Sequence, residues 1–138
     1  MQNAFVDTNV LVYAADESLG ASRKRKIARE LLRTPDLQIS VQVLNEFISS
    51  ARNPKKLGLS REAESDWLQG WLAMSVAALT PGLFMEGVRI HRTFQLSHWD
   101  SLIVASALSL HSPVLYTEDL QHGQIIEGLE IINPFREG

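Results

Sequence analysis

Short apolar runs alternate along this chain with longer segments whose apolar residues recur every three or four positions. The short runs lie at residues 5–6, 37–41, 76–79, 114–117 and 129–132. Short, mostly apolar runs of this kind are typical of strands buried on both faces of a sheet. The periodic segments between them predict amphipathic helices. The alternation therefore predicts an α/β fold with a parallel sheet covered by helices on both faces.

Residues that begin and end helices support this alternation. A helix is predicted from Ser22 to Arg33, before a Thr-Pro-Asp stop. Ser60, Thr80 and Ser97 precede periodic segments, and each is predicted to cap the N-terminus of a helix. The apolar run from Val10 to Tyr13 fits either a strand or the first turn of a helix.

Length and composition favour one domain. The chain of 138 residues is long enough for one core and short for two, and it contains no repeat, low-complexity tract or linker. We therefore expect a single domain over residues 1–138. The 45% of hydrophobic and 21% of charged residues are ordinary for a soluble globular protein. The absence of cysteine excludes disulfides and thiolate metal ligands.

The remaining bulk properties concern location and partners. No apolar stretch approaches the roughly 20 residues of a membrane span, and residues 1–5 lack the basic start of a signal peptide. We therefore expect a cytoplasmic protein without a membrane partner. The net charge of −3 argues against a general attraction to nucleic acid. Any such binding is expected to depend on a local basic patch.

Four acidic residues border or interrupt the apolar segments: Asp7, Glu46, Asp100 and Asp119. Two follow predicted strands, and two lie early in predicted helices. Active sites of parallel sheets lie at the carboxyl ends of the strands, so all four are expected at one edge. Clustered carboxylates repel one another, and a hard cation such as Mg²⁺ or Mn²⁺ relieves that repulsion. The pattern predicts metal-dependent phosphate chemistry.

Short polar residues accompany these acids. Thr8 and Asn9 follow Asp7, and Thr117 lies two residues before Asp119. They are predicted to orient carboxylates bound to metal. Glu118 lies directly beside Asp119, and adjacent side chains of an extended segment point in opposite directions. From the residues alone, either Glu118 or Asp119 can be the fourth acid of the site.

Four segments resemble, in order, those of a PIN domain: FVDTNVLVY at 5–13, VLNEF at 43–47, DSLIVASA at 100–107 and YTED at 116–119. The resemblance spans almost the whole chain and implies a three-layer α/β/α sandwich with a central parallel sheet. Compact PIN proteins of this size are mostly VapC-like toxin ribonucleases of bacterial toxin–antitoxin pairs. The resemblance thus implies an endoribonuclease dependent on Mg²⁺ or Mn²⁺, a homodimer, and inhibition by an antitoxin.

The resemblance also implies a role for each acid. Asp7 and Asp100 are expected to bind metal directly, while Glu46 and Asp119 bind a second ion or act through water. The Thr-x-Asp spacing of the family favours Asp119 over Glu118. Attack by metal-activated water is expected to leave a 5′-phosphate and a 3′-hydroxyl.

Basic residues of the first long predicted helix are candidates for RNA binding, namely Arg23, Lys26 and Arg29. A charged helix face is more often simply solvated, and that alternative applies here. It applies equally to Arg52, Lys55 and Lys56, which follow Glu46 and its predicted helix.

Two other functions are compatible with parts of the pattern. Haloacid-dehalogenase-type phosphotransferases also begin with an aspartate at a strand end. They require a second acid two residues later, where this chain has Asn9. The other alternative is a catalytically silent PIN-fold module that binds RNA or protein, and the four intact acids argue against it.

Overall fold

A six-stranded sheet forms the centre of the protein, seen in a computed structural model that describes residues 3–137. Met1, Gln2 and Gly138 lie outside the described residues. The predicted domain over residues 1–138 includes all three, and the expectation about a signal peptide includes Met1 and Gln2. The strands are β1 (Ala4–Val6), β2 (Leu37–Ser40), β3 (Ser75–Ala77), β4 (Val114–Tyr116), β5 (Ile125–Ile126) and β6 (Leu129–Ile132).

Six α-helices flank the sheet. They are α1 (Thr8–Ala15), α2 (Ser22–Leu31), α3 (Val41–Arg52), α4 (Arg61–Leu72), α5 (Pro81–Phe94) and α6 (His98–Ser109), and one 3₁₀ turn (Leu19–Ala21) precedes α2. The strand order is β3-β2-β1-β4-β6-β5, and every pair except β5–β6 is parallel. This architecture confirms the predicted α/β/α sandwich around a mostly parallel sheet.

The antiparallel strand β5 was missing from the sequence prediction. It is two residues long and forms a hairpin with β6 through Glu127 and Gly128, which both have positive φ angles of 50° and 89°. Such a turn suits the twist of a hairpin. A strand of two residues shows no period, so the sequence pattern gives no signal for it.

The alternative left open at Val10–Tyr13 resolves to helix α1. The Asp7 side chain caps it by accepting a hydrogen bond from the Thr8 N–H at 2.7 Å. Ser60, Thr80 and Ser97 also cap their helices, as predicted.

Helix α6 is buried in the core, and this burial fixes the position of its first turn, which carries Asp100. Residues 101–107 of this helix are all buried, and five of the seven are apolar. Strand β1 is equally deep, with Phe5 and Val6 fully buried. Within residues 3–137, the helices are all too short or too polar to cross a membrane.

Candidate functional site

A cavity of about 730 Å³ opens where β1 and β4 end. The four acids predicted from the sequence all line it: Asp7, Glu46, Asp100 and Asp119. Asp7 follows β1, Asp119 lies three residues after the end of β4, and the other two lie on α3 and α6. The fold thus brings together residues that are up to 112 positions apart, and we call this space the acid cavity.

Asp7 is the most buried of the four acids, with 5% of the residue exposed. Its Oδ1 accepts the N–H of Thr8 at 2.7 Å, and its Oδ2 accepts the hydroxyl of Thr117 at 2.8 Å. Burial raises the pKa of Asp7 to about 7. The two hydrogen bonds lower this pKa, and the charges of Asp119 and Glu46 raise it further. The carboxylate is therefore costly to keep ionised without a nearby cation.

Thr117 links Asp7 to Asp119. Its hydroxyl group is fully buried, donates to Asp7, and accepts the N–H of Asp119 at 3.1 Å. The Asn9 amide donates to Thr117 Oγ1 and to Asp119 Oδ2, both at 3.2 Å. Asn9 and Thr117 thus contact the carboxylates of Asp119 and Asp7, and their role in orienting bound metal ligands stays a prediction.

Glu46 is oriented by the other polar residue of α1. The hydroxyl of Thr8 donates to Glu46 Oε1 at 2.7 Å. The bond joins the first turn of α1 to α3, which pack against each other. Through Thr8, the positions of Asp7 and Glu46 depend on the same helix start.

Asp100 enters the acid cavity from the first turn of α6. Its N–H donates to the capping hydroxyl of Ser97 at 3.1 Å. Burial raises the pKa of Asp100, the hydrogen bond with Ser97 lowers it, and the charge of Asp119 raises it. The charge of Asp119 therefore acts on both Asp7 and Asp100.

Glu118, the alternative fourth acid, also lines the acid cavity, but its carboxylate is bound by residues other than the four acids and their polar neighbours. Its two carboxylate oxygens accept the Tyr13 hydroxyl at 2.6 Å and the Lys24 ammonium at 2.9 Å. Asp119 instead shares Asn9 and Thr117 with Asp7. The geometry favours Asp119 as the fourth acid, although its role stays a prediction.

The structure does not bring the predicted RNA-binding residues of α2 to the acid cavity. Arg23 donates to the Phe135 carbonyl at 2.8 Å, and Arg29 donates to the Ala14 carbonyl at 2.8 Å. Lys26 lines a separate depression on α2 itself. Arg23 and Arg29 thus have structural contacts, and RNA binding by the three residues stays a prediction.

Two lysines do line the acid cavity, namely Lys55 and Lys56. Both are exposed, and neither takes part in the ion pairs found within residues 3–137. They project from a tight turn in which the Asn53 carbonyl accepts N–H groups of Lys56 and Gly58 at 2.9 and 3.0 Å. Gly58 has a φ of +52°, where a larger side chain is strained. The Asn-Pro pair and this glycine were the only sequence signals for such a turn.

The chemistry of the lining suits a hard divalent cation. Carboxylate and amide oxygens are the ligands that Mg²⁺ and Mn²⁺ prefer. Asn9 Oδ1 is buried without a hydrogen-bond partner, and burial raises the pKa of Asp7. Within residues 3–137, no three Asp, Glu or His side chains are already close enough to hold an ion.

Several solved structures share this fold. A toxin–antitoxin complex from Klebsiella pneumoniae has a TM-score of 0.70 at 20% identity, covering 95% of this chain and 97% of its own. DNA-bound VapBC from Salmonella typhimurium has a TM-score of 0.66 at 21% identity, with coverages of 95% and 97%. VapC20 of Mycobacterium tuberculosis, described as a sarcin–ricin loop cleaving toxin, has a TM-score of 0.63 at 15% identity, with coverages of 84% and 91%.

Sequence comparison supplies the family. Curated proteins show no match to this chain. The family model of the PIN domain matches residues 4–126, a range that contains all four acids of the cavity and the threonines and asparagine that orient them. Because this match covers most of the sequence, the chain belongs to the PIN domain family.

Proposed function

We propose that this protein is a metal-dependent endoribonuclease and the toxin of a toxin–antitoxin pair. The observation that carries the proposal is the convergence of Asp7, Glu46, Asp100 and Asp119 on one cavity in a PIN domain. PIN nucleases generally use divalent metal ions. Proteins of similar fold include toxin–antitoxin complexes and a toxin that cleaves the sarcin–ricin loop, which supports the same class.

The acids have distinct roles in this proposal. Asp7 and Asp100 would hold the cation, Mg²⁺ or Mn²⁺, and Glu46 and Asp119 would bind a second ion or act through water. A bound cation would supply a Lewis acid for the phosphodiester and lower the pKa of a water molecule. Hydrolysis by water leaves a 5′-phosphate and a 3′-hydroxyl.

The polar neighbours keep these acids in place. Thr117 and the Thr8 N–H hold the two oxygens of Asp7 at 2.8 and 2.7 Å, so its carboxylate cannot rotate freely. Asn9 holds Asp119 in the same way at 3.2 Å. Groups that orient ligating carboxylates contribute to affinity for metal and to activity.

The acid cavity repels phosphate, so RNA binding requires cations at its edge. Lys55 and Lys56 are the lysines among residues 3–137 that line it. They can neutralise phosphates of the strand that leads to the acids. Their turn is held by backbone hydrogen bonds, so less order is lost when RNA binds.

RNA cleavage by the purified protein tests this function. We expect no cleavage in EDTA, cleavage after addition of Mg²⁺ or Mn²⁺, and loss of cleavage in Asp7→Asn and Asp100→Asn. Asp66→Asn is the matched control, because Asp66 is an exposed acid on α4 away from the cavity lining. Cleavage that persists in EDTA and leaves cyclic phosphate ends would rule out the metal mechanism.

The same proposal includes the partners. We propose a homodimer in the cytoplasm, formed by a single domain over residues 1–138, and an antitoxin that inserts a cationic side chain among the acids. Expression of the protein alone should arrest growth, and co-expression of the product of the neighbouring gene should restore it. Arrest that survives in Asp7→Asn would instead favour a silent binding module.

A further inference from the structure

A second depression continues from the acid cavity. It has a volume of about 530 Å³ and shares Glu46, Ser49 and Trp99 with the acid cavity. Its other lining residues are Gln42, Asn45, Leu79 and Leu102. Because the two spaces share three residues, an extended ligand such as an RNA strand that lies in one can continue into the other. We call the second space the side groove.

Trp99 forms the boundary between the two spaces and is 62% exposed. Its backbone is held, since its carbonyl accepts the Gln42 amide at 3.1 Å. Its ring lies edge to face with His98 at 5.1 Å, and His98 contacts Phe84 in the same manner at 5.7 Å. The indole is thus supported on the protein side and still open to solvent.

The other two tryptophans have structural roles. Trp67 and Trp71 stack at 5.3 Å, and Trp71 is 4% exposed and contacts Phe47 of the core. Trp99 contributes no comparable core packing, although it directly precedes Asp100 of the acid cavity. A large exposed aromatic residue beside a site indicates an interaction rather than a contribution to folding.

We propose that Trp99 and the side groove hold an unpaired nucleobase of the RNA next to the scissile phosphate. This inference rests on the proposed ribonuclease function and names the residue and the groove that contact a base of the RNA. Unpaired bases are free to stack on aromatic side chains, whereas bases within a duplex are stacked on each other. A duplex therefore leaves Trp99 without a partner.

The lining of the side groove suits a base. Leu79, which is half exposed, offers apolar surface to the face of a ring, and the amide of Asn45 can donate to and accept from its edge. The volume of about 530 Å³ is in the range of small-molecule sites. Continuity with the acid cavity places this base on the same strand as the phosphate at the acids.

Binding measurements with a short oligoribonucleotide test the inference in an Asp7→Asn background, which keeps the RNA intact. The oligonucleotide is supplied as a single strand, as a duplex with its complement, and as a single strand with abasic positions. We expect the plain single strand to bind best. Adding Trp99→Ala should weaken its binding about 5- to 100-fold, whereas Trp99→Phe should retain most of the affinity. Trp67→Phe is the matched control and should change little.

Tryptophan fluorescence gives a second measurement. Single-stranded RNA should quench the emission of the Asp7→Asn protein, and Trp99→Phe should abolish that quenching while Trp67 and Trp71 still emit. Because Trp99 is exposed, its substitution should leave the melting temperature unchanged, and a large drop would contradict the absence of a core role.

Three results would overturn the inference. They are unchanged affinity in Trp99→Ala, equal affinity for duplex and single strand, and a change in molecular mass in Trp99→Ala, which would identify the groove as an interface between copies of the chain. Failure of the proposed function is distinguishable, because wild-type protein with Mg²⁺ or Mn²⁺ would then cleave no form of RNA.

Discussion

The carboxylate of Asp7 is in an unfavourable environment as long as no cation is present. Burial raises its pKa from 3.8 to about 7. A carboxyl whose pKa is higher in the folded than in the unfolded state stabilises the fold fully below the unfolded pKa. That contribution is lost as the pH rises through the folded pKa. The metal-free protein should therefore lose stability between about pH 4 and 7.

We predict that Asp7→Asn removes this pH dependence. The raised pKa corresponds to a loss of the order of 4 kcal/mol in unfolding free energy across that interval, from 1.36 kcal/mol per pKa unit. Urea unfolding in EDTA at pH 4 and pH 8 measures it in wild type and variant. At pH 8 the variant should be the more stable protein. An equal pH dependence in both proteins would show that Asp7 keeps an ordinary pKa.

A second prediction at this scale separates the two adjacent acids. Asp119→Asn should reduce the cleavage rate about 10- to 100-fold, as expected when a residue that orients metal ligands is removed. Glu118→Gln should keep most activity, because the Glu118 carboxylate is bound by Tyr13 and Lys24. Single-turnover cleavage rates measure both. A larger loss of activity in Glu118→Gln than in Asp119→Asn would identify Glu118 as the fourth acid of the site.

At the scale of elements, close packing of α5 on α6 positions Asp100. A Cβ atom added at Gly87 of α5 would lie 2.6 Å from Cδ2 and 3.2 Å from Cγ of Leu102, which is buried on α6. The absence of a side chain at Gly87 lets the two helices approach. The first turn of α6, which carries Asp100, depends on that approach.

We therefore predict opposite effects of two glycine substitutions. Gly87→Ala gains up to about 1 kcal/mol in helix propensity, but overpacking costs about 1–3 kcal/mol. The net effect should be a destabilisation of about 1 kcal/mol. Gly70→Ala on α4 meets no atom within 4 Å and should stabilise by about 0.5–1 kcal/mol. Urea unfolding measures both, and equal effects would contradict the packing argument.

The turn after α3 supports a prediction about RNA. Replacing Lys55 and Lys56 by Glu should weaken RNA binding. Log affinity should then fall less steeply with log salt, by about 2 in slope, since each phosphate contact releases about one counterion. Lys26→Glu is the control on α2, outside the acid cavity. Binding titrations at several salt concentrations measure the slope. A larger effect of Lys26→Glu on RNA binding would show that α2 binds the RNA, as the sequence analysis predicted.

At the scale of the whole molecule, metal binding and folding should be coupled. An ion that binds only the folded protein stabilises it by about 2.7 kcal/mol at 100 times its Kd. Mg²⁺ or Mn²⁺ should therefore raise the melting temperature of wild type at pH 8, and should do so much less in Asp7→Asn and Asp100→Asn. Thermal unfolding with and without EDTA measures this. Equal shifts in all three proteins would mean that the ions bind elsewhere.

The sequence by itself determined the order of strands and helices, because hydrophobic period and helix caps act over a few residues. It also indicated the four acids, since charges are rare beside buried strands and the PIN motifs contain them. The single domain and the homodimer stay predictions. The two-residue strand β5 was beyond reach because it is too short to show a period.

Only the tertiary structure decided which side chains meet. The bond from Asn9 to Asp119 joins residues 110 positions apart, and no local pattern encodes it. The same holds for the structural contacts of Arg23 and Arg29, for Lys55 and Lys56 at the acid cavity, and for the exposure of Trp99. Such positions depend on how distant elements cross and pack, and side-chain type alone does not specify that.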